Sequence, residues 1–263
     1  MVVSHDRRCQ HRVRLRRAPD RLVALAPDSG AACTLFCFHH AGGGAAMFRQ
    51  WPRFLGCSVQ LGTVLLPGRE GLFREAPLTD FSSALARIAG DIAALTTKPY
   101  ALFGHSLGAK LAFETAVRLE RSARPPSCVI VSGQRPLHRS DPPHERENST
   151  LPDDEFLSLL QAMGGTPPAI FDNPEMMQLF LPVIRADFRL AEQYRWSSQT
   201  ISCPLLVLGG TDDPYAAADE LPQWSALTTG PSAVRTFDGG HFYLTGHEAE
   251  VCGAIAAFLR SSI

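Results

Sequence analysis

The chain has 263 residues, 45% of them hydrophobic, and a formal net charge of −1. That is enough apolar material for one large α/β domain or two small ones, and the near-zero charge gives no footing for nucleic acid or an anionic membrane surface as a partner. The seven cysteines, at 9, 33, 37, 57, 128, 203 and 252, show no C-x-x-C spacing and no His/Cys cluster, which argues against a zinc site or a disulfide framework.

Residues 1–21 carry arginine at 7, 8, 12, 14, 16, 17 and 21 with little apolar content. Without an apolar h-region this is not a secretory signal; it reads as a disordered basic extension ahead of a single domain over 22–263. Strand-like runs are predicted at 22–26 and 32–38, a helix at 45–55, and a strand at 58–66 that ends in L-P-G-R-E. Apolar residues at 81, 84, 85, 88, 92 and 95 mark one face of a helix over 81–95. A strand at 100–103 runs into G-H-S-L-G, and a helix follows over 109–121. Buried strands are predicted at 128–132, 205–208 and 233–237, and an amphipathic helix over 248–259 closes the chain. The five cysteines at 33, 37, 128, 203 and 252 fall in apolar runs and read as small buried hydrophobes of a reduced, cytoplasmic protein. Strand–helix alternation with fully apolar strands predicts a mostly parallel sheet covered by helices on both faces.

One stretch breaks that rhythm. Between about 138 and 199 there is no strand signal, only helical patterns at 153–163, 174–180 and from 181 or 182 to 194, with a G-G-T-P-P breaker after the first. An all-helical insertion between two strands of such a sheet lies beyond their carboxyl ends, where ligands bind, and is read as a lid.

The segment 103–109, F-G-H-S-L-G-A, places Ser106 at the apex of a strand–turn–helix. Such a turn holds a hydroxyl clear of its own backbone, and Gly104 and Gly108 remove side chains that would collide there. A serine hydroxyl needs a base, and the base an orienting acid; in this arrangement they follow in the order Ser, acid, His. The acid is expected at Asp213, in G-G-T-D-D-P, with Asp212 as the alternative. The base is expected at His241, in F-D-G-G-H-F after the 233–237 strand. Among the nine histidines, His105 should point away from the nucleophile, His39 and His40 lie in a loop near the oxyanion site, His247 starts the last helix, and His5, His11, His138 and His144 sit in polar segments. Two backbone N–H groups are needed for a developing oxyanion. Leu107, just after the nucleophile, supplies one; Ala41 or Gly42, in the glycine-rich loop 38–44, supplies the other. That loop lacks the G-x-x-x-x-G-K-[ST] pattern of a phosphate loop.

Taken together, F-H-H-A-G-G-G at 38–44, L-P-G-R-E at 66–70, F-G-H-S-L-G-A at 103–109, V-S-G-Q-R-P at 131–136, L-P-D-D-E-F at 151–156, L-P-V-I-R-A-D-F at 181–188, G-G-T-D-D-P and F-D-G-G-H-F-Y-L resemble the type II thioesterases that accompany modular polyketide and nonribosomal peptide synthases. Two departures stand out: His39 replaces a proline, and Gly44 stands where serine is usual. The resemblance implies an α/β-hydrolase fold and hydrolysis of acyl thioesters on the phosphopantetheine arm of carrier proteins, by a Ser106–His241–Asp213 triad. It also implies carrier domains of a synthase as partners, no metal or redox cofactor, and a monomer. An ester hydrolase or a chain-releasing cyclase are the enzyme alternatives, and a non-catalytic carrier-protein adaptor is a third. Arg185 and Asp187 are read as either substrate contacts or an ion pair fixing the lid to the body; Arg69 and Glu70 are equally open. Met163, Met176, Met177, Phe180 and Phe188 are candidates for an acyl channel or for core.

Overall fold

Alternation along the strands decides the layers. In the computed structural model, which describes residues 21–28, 30–139, 147–166 and 168–263, seven strands form one sheet: β1 (Val23–Leu25), β2 (Cys33–Phe38), β3 (Val59–Val64), β4 (Tyr100–His105), β5 (Cys128–Ser132), β6 (Leu205–Gly210) and β7 (Ser232–Phe237). Their order is β1-β3-β2-β4-β5-β6-β7. Every pairing is parallel except β1 with β3. Phe36, Phe38, Leu102, Val129 and Val131 point to one face, and Leu35, Cys37, Ala101, Phe103 and Ile130 to the other, each set inside its own buried cluster. A strand apolar at every position is therefore satisfied only by helices on both sides. Helices α2 (Phe81–Leu95) and α3 (Leu107–Leu119) cover the first face; the short α1 (Pro52–Leu55) and α7 (Glu248–Ser262) cover the second. Helix α2 begins at the predicted residue because Asp80 caps it, its carboxylate accepting from Ser83 N–H at 2.7 Å; such a cap stabilises by about 1 kcal/mol.

The insertion lies between β5 and β6 and contains α4 (Asp153–Met163), α5 (Pro168–Phe171) and α6 (Pro174–Gln193). It has its own small core, with Phe156, Leu160 and Ile184 buried and Phe180 and Phe188 packed against them.

Three expectations are corrected. Residues 45–55 do not form one helix: a 3-10 turn over Ala45–Phe48 gives way to α1, with Pro52 starting the new turn, since proline suits the first helical position and not the interior. The two helices expected on either side of residue 181 are one, with Pro182 inside it. Proline removes a backbone donor there, but Met177, Val183 and Ile184 are buried on both sides of it, and that packing holds the helix across the defect. Cysteine chemistry differs at one place. Cys33, Cys37, Cys128 and Cys252 are free and buried and Cys203 is free and half-buried, yet Cys57, in a turn rather than an apolar strand, is disulfide-bonded. The readings made for the arginine-rich segment up to residue 20 and for His5, His11 and His144 fall outside the described residues.

Candidate active site

Ser106 joins β4 to α3 at φ 56° and ψ −118°, a positive φ in a residue that is not glycine. Such a conformation costs about 1–3 kcal/mol and survives only where its surroundings enforce it. Here Ser106 N–H donates to Ser132 O on β5 at 2.9 Å. The flanking glycines are required by contact. A Cβ on Gly104 would lie 2.0 Å from Gly108 O, and one on Gly108 would lie 2.2 Å from Phe38 O and 2.7 Å from His39 O. Gly104 thus lets the strand fold back on the helix, as expected. Gly108 does something further: it lets α3 approach the end of the neighbouring strand β2.

His241 follows β7 on a loop and is buried, its ring packed by Phe242, His105 and Tyr215 at centroid distances of 5.0, 5.1 and 5.2 Å. Its Nδ1 lies 2.9 Å from Asp213 Oδ2. A carboxylate only accepts, so Nδ1 carries the proton and the Nε2 lone pair is left as a base. That Nε2 is buried and has no hydrogen-bond partner among the described residues. Asp213 is itself fixed, its Oδ1 accepting from Tyr215 N–H at 2.9 Å and Ala216 N–H at 3.2 Å. Asp212 is exposed, and its carboxylate accepts from the neighbouring Thr211 hydroxyl at 3.1 Å. The geometry thus places Asp213, and not Asp212, at the histidine.

The glycine loop separates its two candidate donors. Gly43 N–H donates to His40 O at 2.9 Å, closing a turn in which Gly42 sits at φ +77°, a value suited to the third residue of a type II turn. Gly42 N–H is taken by Asp187 Oδ2 at 2.7 Å. Gly42 is therefore not available to an oxyanion, which corrects the wider expectation and leaves Ala41. Ala41, Ser106, Leu107 and His241 all line one cavity of about 110 Å³. Leu107 opens α3, where a helix leaves its first N–H groups without intrahelical partners.

Asp187 also receives Arg69 in a bidentate pair, at 2.6 and 2.7 Å, with both side chains buried. Of the two roles open to Asp187, the structure shows the structural one: it joins α6 to the 66–70 loop and to the glycine loop. Losing one member of such a pair leaves an uncompensated buried charge, worth about 3–5 kcal/mol. Arg185, by contrast, works inside the insertion, bonding Asp153 Oδ1 at 2.6 Å and Ser149 O at 2.9 Å. Glu70 accepts from Ala46 N–H at 3.1 Å, and a Cβ on Gly44 would lie 2.3 Å from its carboxylate, so glycine at 44 makes room for Glu70.

From the insertion, Leu160, Met163, Gly165, Thr166, Phe188, Ala191 and Glu192 line the same cavity as Ser106. Of the five channel candidates, Met163 and Phe188 line the cavity, while Met177 and Phe180 pack elsewhere and Met176 is exposed. Two charged residues there were not anticipated. Lys110 is buried one turn into α3, its Nζ 5.5 Å from the Tyr194 ring centroid. Burial raises the Glu192 carboxyl from its ordinary value, against the lowering effect of its hydrogen bonds to Ser149. A lone lysine inside the apolar run G-A-K-L-A-F was the available signal for the first.

Three further histidines surround the site. His39 Nδ1 is 2.7 Å from His40 O, and its Nε2 is the acceptor for Leu66 N–H at 3.4 Å. Burial, with a smaller push from Arg69, holds it at about 3. His40 is held at about 3 by burial and then by His39. His105 points away from the cavity as expected, its Nδ1 2.9 Å from Ser132 Oγ, and burial lowers it well below its ordinary value. His138 is half-buried beside Trp196, at a ring distance of 6.0 Å, rather than solvated. Among the described residues no group of three or more His, Cys, Asp or Glu side chains is arranged to hold a metal ion, and no helix is long and apolar enough to cross a membrane.

A serine on a strained strand–helix turn, with an acid after β6 and a histidine after β7 of a mostly parallel sheet, defines an α/β-hydrolase. The comparisons narrow this. The sequence matches the thioesterase domain family over residues 33–259, and the chain belongs to that family. It is 35% identical to the thioesterase PikA5 of Streptomyces venezuelae, over 89% of this chain and 83% of that one. It is 34% identical to a Brevibacillus parabrevis protein named linear gramicidin dehydrogenase LgrE, over 93% and 94%. Among solved structures, the type II thioesterase BorB from the borrelidin biosynthetic cluster superposes with a TM-score of 0.80 at 32% identity, covering 93% of this chain and 98% of that one. One of these names states a dehydrogenase; the family match makes this chain a thioesterase.

Proposed function

We propose that this thioesterase hydrolyses acyl thioesters carried on the phosphopantetheine arm of carrier domains, clearing stalled or wrong acyl groups from a polyketide or nonribosomal peptide synthase. One observation carries the chemistry: His241, held through Nδ1 by Asp213, lines the same cavity as Ser106 and has an Nε2 with no hydrogen-bond partner among the described residues. In this reading Nε2 takes the proton of Ser106 as Oγ attacks the thioester carbonyl. Leu107 and Ala41 N–H groups receive the oxyanion, and Asp213 stabilises the imidazolium. The C–S bond breaks, the thiol leaves with the proton from His241, and an acyl-serine remains. Water, deprotonated by the same nitrogen, then attacks the ester and releases the acid and Ser106. The reaction calls for no metal or redox cofactor. The carrier-borne substrate is supported by the family and by relatives that belong to biosynthetic clusters.

The test is a panel of acyl-loaded carrier proteins read by intact-protein mass, with Ser106→Ala as control. Wild type should release linear acids, and the variant should fall by at least about a thousandfold. Undiminished hydrolysis by Ser106→Ala overturns the mechanism. Faster turnover of simple esters than of acyl-carrier protein would point instead to an ester hydrolase, and a cyclised product to a chain-releasing cyclase.

A further inference from the structure

The glycine loop is held from outside the sheet. Its Gly42 N–H is bound at 2.7 Å by Asp187, 145 residues away on α6. The same carboxylate holds Arg69, whose Nη1 also donates to Gly43 O at 2.9 Å. Gly42 packs on α6 a second time: a Cβ there would lie 3.0 Å from Ile184 Cγ1, one turn before Asp187. The adjacent residues Gly42 and Gly43 thus have one N–H and one carbonyl fixed by a single buried ion pair. Between those constraints and the His40–Gly43 turn, the orientation of the Ala41–Gly42 peptides is determined.

We propose that Asp187 is a positioning residue for the oxyanion hole. By taking the Gly42 N–H and holding Arg69 against Gly43 O, it sets the turn so that Ala41 N–H faces the reacting carbonyl. The catalytic loop is thereby complete only when α6 of the lid is seated. This rests on the reading of Ser106 as nucleophile and of Ala41 as donor.

The experiment measures kcat and KM of Asp187→Ala and Asp187→Asn on acyl-carrier protein, at a temperature where circular dichroism shows each folded. An alkyl boronic acid serves as the probe of the hole, since Ser106 Oγ adds to boron, gives its proton to His241 and leaves an anionic tetrahedral adduct. Loss of one positioned oxyanion donor lowers kcat by about 10²–10³-fold. The expected result is a kcat fall approaching that for Asp187→Ala and a smaller one for Asp187→Asn, which keeps an acceptor for Gly42. KM should stay within about threefold, and boronate inhibition should weaken in step with kcat. Arg185→Ala, which breaks contacts confined to the insertion, is the structural control: it should lower the melting temperature and leave kcat alone. In wild type, hydrogen exchange should find the Gly42 amide slow and the Ala41 amide fast, a readout that needs no substitution to fold. Wild-type kcat in a folded Asp187 variant, a change confined to KM, or fast exchange at Gly42 overturns the proposal. Activity retained by Ser106→Ala would instead overturn the nucleophile reading on which it rests.

Discussion

Acid should destabilise this protein earlier than its carboxylates can explain. His39 and His40 are both held at about 3 by burial, against an ordinary histidine value of 6.5. In the unfolded chain each takes a proton as pH falls through 6.5; in the folded protein neither does until about 3. The unfolded state binds more protons throughout that window, so stability present above pH 6.5 is lost progressively on acidification. At about 1.4 kcal/mol per pH unit, moving from pH 7 to pH 5 removes about 2 kcal/mol per histidine, or about 4 for the pair. His105, lowered for the same reason, adds in the same direction. Glu192 works the other way, because burial raises its carboxyl. Asp28 and Asp80 are lowered by their hydrogen bonds, to Lys98 and Ser83 respectively, and titrate beneath the window. Against a total of about 5–15 kcal/mol the expected loss is large. Urea unfolding at the two pH values, followed by fluorescence of the buried Trp51 and Trp224, measures it directly. His39→Gln should shrink the difference by about 2 kcal/mol. Stability that differs by less than about 1 kcal/mol between pH 7 and pH 5 would refute the view that these imidazoles are neutral because they are buried.

Two substitutions test the site by geometry. Asp213→Asn should preserve the fold while lowering kcat about 10⁴-fold through the wrong histidine tautomer, whereas Asp212→Asn should leave kcat within about twofold; equal effects in stopped assays would exclude Asp213 as the orienting acid. Gly108→Ala places a methyl 2.2 Å from a backbone oxygen of β2 that cannot swing aside, and should lower unfolding free energy by several kcal/mol, on the order of 3 or more; a neutral result in urea titration would mean that α3 can slide away from the strand.

Much of this was legible because local chemistry and tertiary position agree. The strand over 128–132 and the helices over 81–95 and 153–163 fall where the apolar pattern puts them. The order Ser106, Asp213, His241 was readable because each residue follows a strand that can be recognised by composition, and the parallel sheet brings those strand ends to one edge. What could not be read depended on contacts between distant segments. Pro182 looks like a helix boundary to any local rule, and only the burial on both sides of it says otherwise. Gly42 and Ala41 are interchangeable as sequence; their difference lies in a carboxylate 145 residues further on. Lys110 and Glu192 meet the same cavity from separate elements, and nothing in either segment announces the other.

The backbone of Ser106 has a consequence for how this chain can be improved. Its φ of 56° is a conformation that glycine would accept without penalty. Catalysis and thermal robustness therefore pull in opposite directions at the same residue. A selection for heat resistance that did not also demand turnover would find one of its easiest gains in discarding the nucleophile, so any library built on this scaffold has to be screened for both.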